Sequence, residues 1–154
     1  MDVTVLKQLI EEIVKKANDL KNKHTSEKKA PVNYVCIFAQ SKEQYNNLLV
    51  AAQKIGSVIE ETSTGPLFHI QLLNTVAGNL RLLKIRKPDI TRPELGDADF
   101  TVENYSEFKK KHLSKTGFKL IPRENFEMIE LIDPKFNVRA YFSNPTLNEQ
   151  LEIK

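Results

Sequence analysis

The sequence predicts an α+β fold: one amphipathic helix, then two modules that each run strand, helix, strand, strand, strand. Three observations predict it. Apolar residues recur at steps of three and four from Val3 to Leu20. At Val32 that period gives way to β-branched and aromatic runs of strand length. The order of elements from Val32 to Pro88 then returns between Asp97 and Pro145.

Val3, Leu6, Ile10, Ile13, Ala17 and Leu20 share one helical face over nearly three heptads. The helix packs either on the domain or on a second copy of the chain. The polar run KNKHTSEKKAP follows, so residues 21–30 read as a loop and residues 1–30 as helix plus linker. The domain proper then spans 31–154, with its modules at 32–88 and 97–145. In the first module VNYVCIFA is a buried strand. Ser41 and Gln44 form a capping pattern ahead of the stripe Tyr45, Leu48, Leu49, Ala52 and Ile55, and Gly56 ends that helix. SVIEETS, LFHIQLL and LRLLKIRK are the remaining strands. In the second module ADFTV is a strand, and Asp97 before it is a turn residue after Gly96. Asn104 and Glu107 cap a shorter helix carrying Tyr105, Phe108 and Leu113, with Gly117 at its end. FKLIPRE, FEMIELI and VRAYFS complete the set.

The chain has 154 residues, enough for one compact core, with 40% hydrophobic and 28% charged residues. No apolar run reaches membrane-spanning length, and acids interrupt the first apolar stretch, which excludes a secretory signal pattern. A single cysteine, Cys36, forms no internal disulfide, so a cytoplasmic location is expected. The net charge of +3 is too small to argue for nucleic acid, and the strands lack an aromatic-rich basic RNA platform. Phosphate loops, zinc spacings and Gly-x-Ser-x-Gly elbows are absent from the sequence. His112, beside Lys109, Lys110 and Lys111, reads as a surface residue.

Strand alternation assigns faces. Val35 and Ile37 pack inward, leaving Tyr34 and Cys36 on the other face. Phe100 opposes Asp99, and Val138, Ala140 and Phe142 oppose Arg139, Tyr141 and Ser143. Lys84 and Arg86 match Tyr141 and Ser143 across the repeat, while His69 and Gln71 match Met128 and Glu130. Asp99 is either a site residue or a satisfied polar residue, because a strand interior disfavours aspartate unless something offsets it. Tyr34 and Tyr141 serve either as hydroxyl donors or as packing.

The tandem βαβββ order over residues 32–145, about three-quarters of the chain, resembles the vicinal-oxygen-chelate superfamily of glyoxalases, bleomycin-resistance proteins and extradiol dioxygenases. The resemblance implies that the modules pair into a half-open barrel, a cup that holds a divalent metal ion or a ligand. Metal-binding members take ligands from the first and fourth strands of each module. Those positions hold Tyr34, Lys84 or Arg86, Asp99, and Tyr141 or Ser143, of which Asp99 alone is a good metal ligand. A rearranged metal triad of His69, Asp99 and Glu130 is one expectation. A metal-free cup is the other, with Asp99 and Glu130 as catalytic carboxylates and Tyr34, Arg86, Arg139 and Tyr141 gripping a small, anionic ligand. The function expected from the resemblance is a small-molecule isomerase, lyase or dioxygenase. The alternative is a non-catalytic, metal-free sequestering protein, and a third reading makes the first helix a homodimer contact.

Overall fold

A computed structural model describes residues 1–152. Helix α1 spans Val3–His24, with Asp2 capping it by accepting from the Val5 N–H at 2.9 Å. Its stripe of Leu6, Ile10, Ile13, Val14, Ala17 and Leu20 is wholly buried in the core shared with the sheet. The Leu, Ile and Val side chains among them contribute roughly 1.5–3 kcal/mol each on burial. The helix thus covers its apolar face with its own domain. It also runs one turn beyond the expected Leu20, because Lys21 is buried rather than solvated. The Lys21 ammonium lies 5.2 Å from the centre of the Phe100 ring and donates to Asn22 and the Glu27 carbonyl, while Thr25 caps the Lys21 carbonyl.

The next elements are β1 (Val32–Phe38), α2 (Lys42–Gln53), β2 (Gly56–Thr62), β3 (Gly65–Thr75) and β4 (Gly78–Arg86). They are followed by β5 (Gly96–Phe100), α3 (Tyr105–His112), β6 (Phe118–Pro122), β7 (Glu127–Leu131), β8 (Arg139–Asn144) and α4 (Leu147–Gln150). Ser41 and Asn104 cap α2 and α3 through the Gln44 and Glu107 N–H groups. Thr146 and Glu149 form a reciprocal capping box for α4, a helix the apolar pattern did not announce.

All eight strands form one mixed sheet in the order β2-β3-β4-β1-β5-β8-β7-β6. The sheet is not closed into a barrel, and β2 and β6 are its free edges. β1 and β5 meet antiparallel at the centre, and each has a parallel neighbour, β4 or β8. Val35, Ile37, Leu83, Ala98, Phe100, Ile129, Ala140 and Phe142 are fully buried in the apolar core, and α1 lies over β1, β5 and β8. Gly96 permits the central seam. A Cβ there would stand 2.2 Å from the Cys36 carbonyl oxygen and 2.9 Å from Ile13. That close approach fixes where Asp97 begins.

Two further sequence expectations are corrected. Asp97 is a strand residue inside β5, not a turn residue, because Gly96 already pairs with Ile37. His112 is 2% exposed rather than on the surface. Its ring stacks on Phe118 at 5.2 Å and tilts against Phe108 at 4.6 Å, because the helix ends where β6 crosses beneath it. No described helix is long and apolar enough to cross a membrane.

Candidate functional site

The face of the sheet opposite the core is lined with ionisable groups. Register sets Tyr34 opposite Asp99, Asp99 beside Tyr141, and Tyr141 opposite Glu130, in one row across β1, β5, β8 and β7. The adjacent row holds Lys84, Cys36, Asp97 and Arg139. Arg86 lies one step further, beside Phe38. The acids in these rows are nearly as buried as the core, with Asp97 7% exposed, Asp99 3% and Glu130 7%, while Tyr34, Lys84 and Arg139 are half-buried.

The three acids differ in their partners. Asp99 accepts from the Asn33 amide at 3.0 Å, from the Ser143 N–H at 3.3 Å and from the Ser143 hydroxyl. Asn33 reaches it because the β1–β5 register shifts between Val32 and Tyr34. Burial pushes the Asp99 carboxyl up to about 6, against the pull of those hydrogen bonds. Glu130 accepts from the Tyr141 hydroxyl at 2.5 Å and from Arg139 at 3.3 Å. Asp97 makes no side-chain hydrogen bond among the described residues. Burial pushes it up to about 7, although Arg92, Lys84 and Arg139 pull it back. Burial likewise raises the Cys36 thiol and the Tyr34 and Tyr141 hydroxyls, so all three stay protonated near neutrality. It lowers the Lys84 ammonium, which donates to the Thr64 hydroxyl at 2.5 Å.

Residues 87–95, the connection between β4 and β5, fold over this face. The Arg92 guanidinium lies 5.3 Å from the Phe38 ring centre and donates to the Tyr141 hydroxyl at 3.3 Å. Arg139 donates to the Thr91 carbonyl at 3.0 Å. The Gln40 amide donates to the carbonyls of Phe38, Arg92 and Glu94 at 2.9–3.1 Å, which pins the segment to β1. Arg86 is turned toward Asp89, 3.2 Å away. Of the expected ligand-binding residues, Tyr34, Arg139 and Tyr141 therefore stand together, and Arg86 sits at the rim. Arg92, Glu94 and Asn33 were not singled out by sequence reasoning. The only hint was an excess of basic residues between Arg81 and Arg92.

The expected metal triad is not assembled. His69 pairs with Ser57 and Leu82, three strand positions from Asp99, while Glu130 is two positions away on the other side. At about 4.8 Å per strand these are separations of roughly 14 Å and roughly 10 Å along the sheet. Among the described residues no three His, Cys, Asp or Glu side chains are grouped to hold a metal ion. Asp99 and Glu130 already accept hydrogen bonds, and Lys84, Arg92 and Arg139 crowd Asp97. This donor set does not fit a divalent cation.

A separate surface hollow of about 450 Å³ lies between α3 and the β6–β7 turn. Its carboxylate, Glu127, is held by the Tyr105 hydroxyl and the Lys109 ammonium, both at 2.8 Å. It contains none of the unpartnered groups found on the sheet face.

No family model matches the chain, and no curated protein matches it. Among solved structures, a structural-genomics protein, EC4020, superimposes with a TM-score of 0.70 at 10% identity, over 92% of this chain and 86% of that chain. A mutant of 4-hydroxymandelate synthase from Streptomyces coelicolor matches at a TM-score of 0.36 and 11% identity, over 80% of this chain and 50% of that chain. The first likeness shows a shared fold. The second is too loose to carry an argument.

Proposed function

We propose that this chain is a divergent, metal-free member of the vicinal-oxygen-chelate superfamily that binds a small molecule in its polar cup and moves a proton on it. The cup would be made by two βαβββ modules, residues 32–88 and 97–145, joined at the β1–β5 seam. The strand order supports this reading, since β4, β3 and β2 follow β1 outward as β8, β7 and β6 follow β5.

The single observation that carries the function is Asp97: a carboxyl only 7% exposed, with no side-chain hydrogen bond to the protein among the described residues, near Arg92, Lys84 and Arg139. A carboxyl that titrates at about 7 exists in both forms near neutrality and serves as general base and then general acid. The surrounding cations favour negative charge developing on a substrate oxygen. This chemistry suits an isomerase or lyase acting next to a carbonyl.

The test is deuterium incorporation from D2O, followed by proton NMR, over a panel of neutral hydroxyketones and aldehydes together with α-keto acids. The wild type is expected to exchange the proton next to the carbonyl of at least one compound, and Asp97→Asn to do so about 100-fold more slowly. Equal rates would remove Asp97 from the chemistry. Ligand-induced shifts of the Tyr34, Asp97 and Arg139 amides without exchange would assign sequestration instead.

A further inference from the structure

Arg139 is held on three sides. One amino group donates to Glu130 at 3.3 Å and the other to the Thr91 carbonyl at 3.0 Å. On the third side its Nε lies 3.1 Å from a carboxylate oxygen of Glu94. That pair is close but misaligned, and both atoms are buried without a hydrogen bond. A buried charged pair this close keeps its Coulomb attraction, but off-axis it gives up part of the directional attraction of an aligned, bidentate pair.

Glu94 is also placed to leave. Its backbone is fixed by Gln40 on its own carbonyl and by the Leu95 N–H on the Asn137 carbonyl. Its side chain is 15% exposed, so a rotamer change about that fixed backbone would carry the carboxylate away from Arg139 without unfolding the segment. Two residues earlier Arg92 points inward, its guanidinium making one hydrogen bond among the described residues, to Tyr141. Asp97 is the cross-strand neighbour of Arg139.

We propose that the Glu94 side chain holds the place of the carboxylate or phosphate group of the cup's ligand, which displaces it from Arg139 and is gripped by Arg139 and Arg92 together. The proposal rests on the reading of this face as a ligand site and adds the class of ligand, a small oxyanion. A planar guanidinium matches such a group with parallel hydrogen bonds that Glu94 does not make. The ligand's remaining atoms then lie toward Asp97.

The experiment titrates the full chain with succinate and with inorganic phosphate at low ionic strength, following backbone amide and arginine Nε–H NMR signals. Glu94→Gln is expected to bind one of the two about tenfold more tightly than the wild type, with the Arg139 Nε–H signal moving furthest. Adding Arg139→Gln is expected to abolish that binding. The anion preferred names the group. Glu94→Ala repeats the measurement should Glu94→Gln lose its native amide spectrum. Equal affinities for wild type and Glu94 variants, or shifts that bypass Arg139, overturn the proposal. If neither anion binds while a neutral carbonyl compound still exchanges through Asp97, the anion assignment falls and the cup reading stands. If exchange also ignores Asp97, both fall.

Discussion

Asp97→Asn removes one titrating group from the polar face at nearly constant volume, and its effect on stability follows from the carboxyl's surroundings. The ordinary carboxyl titrates at 3.8, and in the fold it is pushed up to about 7. Between those values the folded chain keeps a proton that the unfolded chain has released. Stability therefore falls as pH rises through this window, and the penalty is complete above it. At about 1.4 kcal/mol per pH unit, Asp97 costs the fold roughly 2.5 kcal/mol more at pH 8 than at pH 5. The groups facing it are Arg92 from the 87–95 segment, Lys84 from β4, Arg139 and Tyr141 from β8, Cys36 and Tyr34 from β1 and Asp99 from its own strand. Asparagine leaves the cations without a counter-charge. The informative quantity is thus the difference between pH values rather than stability at either one. Urea unfolding of both proteins at pH 5 and pH 8 measures it. Wild type should lose stability toward pH 8, and the variant should lose about 2.5 kcal/mol less. Parallel behaviour would refute the reasoning, because the carboxyl would then not titrate in this range.

Two further predictions concern residues that support the face and the core. Asp99→Ala removes the acceptor of two part-buried Ser143 donors and one of the two acceptors of the Asn33 amide, so urea unfolding at pH 5, below the value of about 6 to which burial pushes the carboxyl, should show a loss of about 1–3 kcal/mol; no loss at all would mean that water replaces the carboxyl. Burial and the nearby Lys115 and Lys111 lower the His112 pKa, so the folded ring stays neutral where the unfolded one protonates, and stability is lost as pH falls below about 6.5. His112→Phe keeps the contacts with Phe108 and Phe118 and should flatten the Tm profile between pH 7 and pH 5 relative to wild type; an unchanged slope would refute it.

The features legible in the sequence were those set by local chemistry. The switch of hydrophobic period at Val32 and the caps at Ser41 and Asn104 place the elements. Alternation correctly separates Tyr34 and Cys36 from Val35 and Ile37 because the strand is regular beyond Tyr34. It says nothing of Asn33, which one register shift turns toward Asp99. Gly96-Asp97 looks like a turn because glycine and aspartate favour turns; here glycine is demanded by the approach of β1 and α1, which no local pattern records. Lys109 to His112 looks like a solvated run because three of the four residues are charged, yet the fourth sits where β6 passes. The Thr146–Glu149 capping signature of α4 was present in the sequence but had no apolar stripe behind it. The closure of the polar face by residues 87–95 depends on contacts between residues about 50 positions apart, such as Arg92 with Tyr141.

Asp97 and Asp99 occupy one face of one strand, two residues apart, and their different fates come from what their neighbours have left to give. Asp99 borders Ser143 and the displaced Asn33, whose donors point at it. Asp97 borders Cys36 and Arg139. The Cys36 thiol, a weak donor, is directed at the Ile37 carbonyl, and Arg139 faces Glu130, Thr91 and Glu94. With these groups aimed elsewhere, a strand position that disfavours aspartate holds a carboxyl that cations attract but that no described side chain hydrogen-bonds. A hydrophobic residue there would avoid the desolvation penalty of roughly 4 kcal/mol that a carboxyl lifted from 3.8 to about 7 carries at high pH. Packing offers no offset for that cost, whereas the proposed ligand, reaching Asp97 between Arg92 and Arg139, would supply the missing partner and give the carboxyl a proton to exchange.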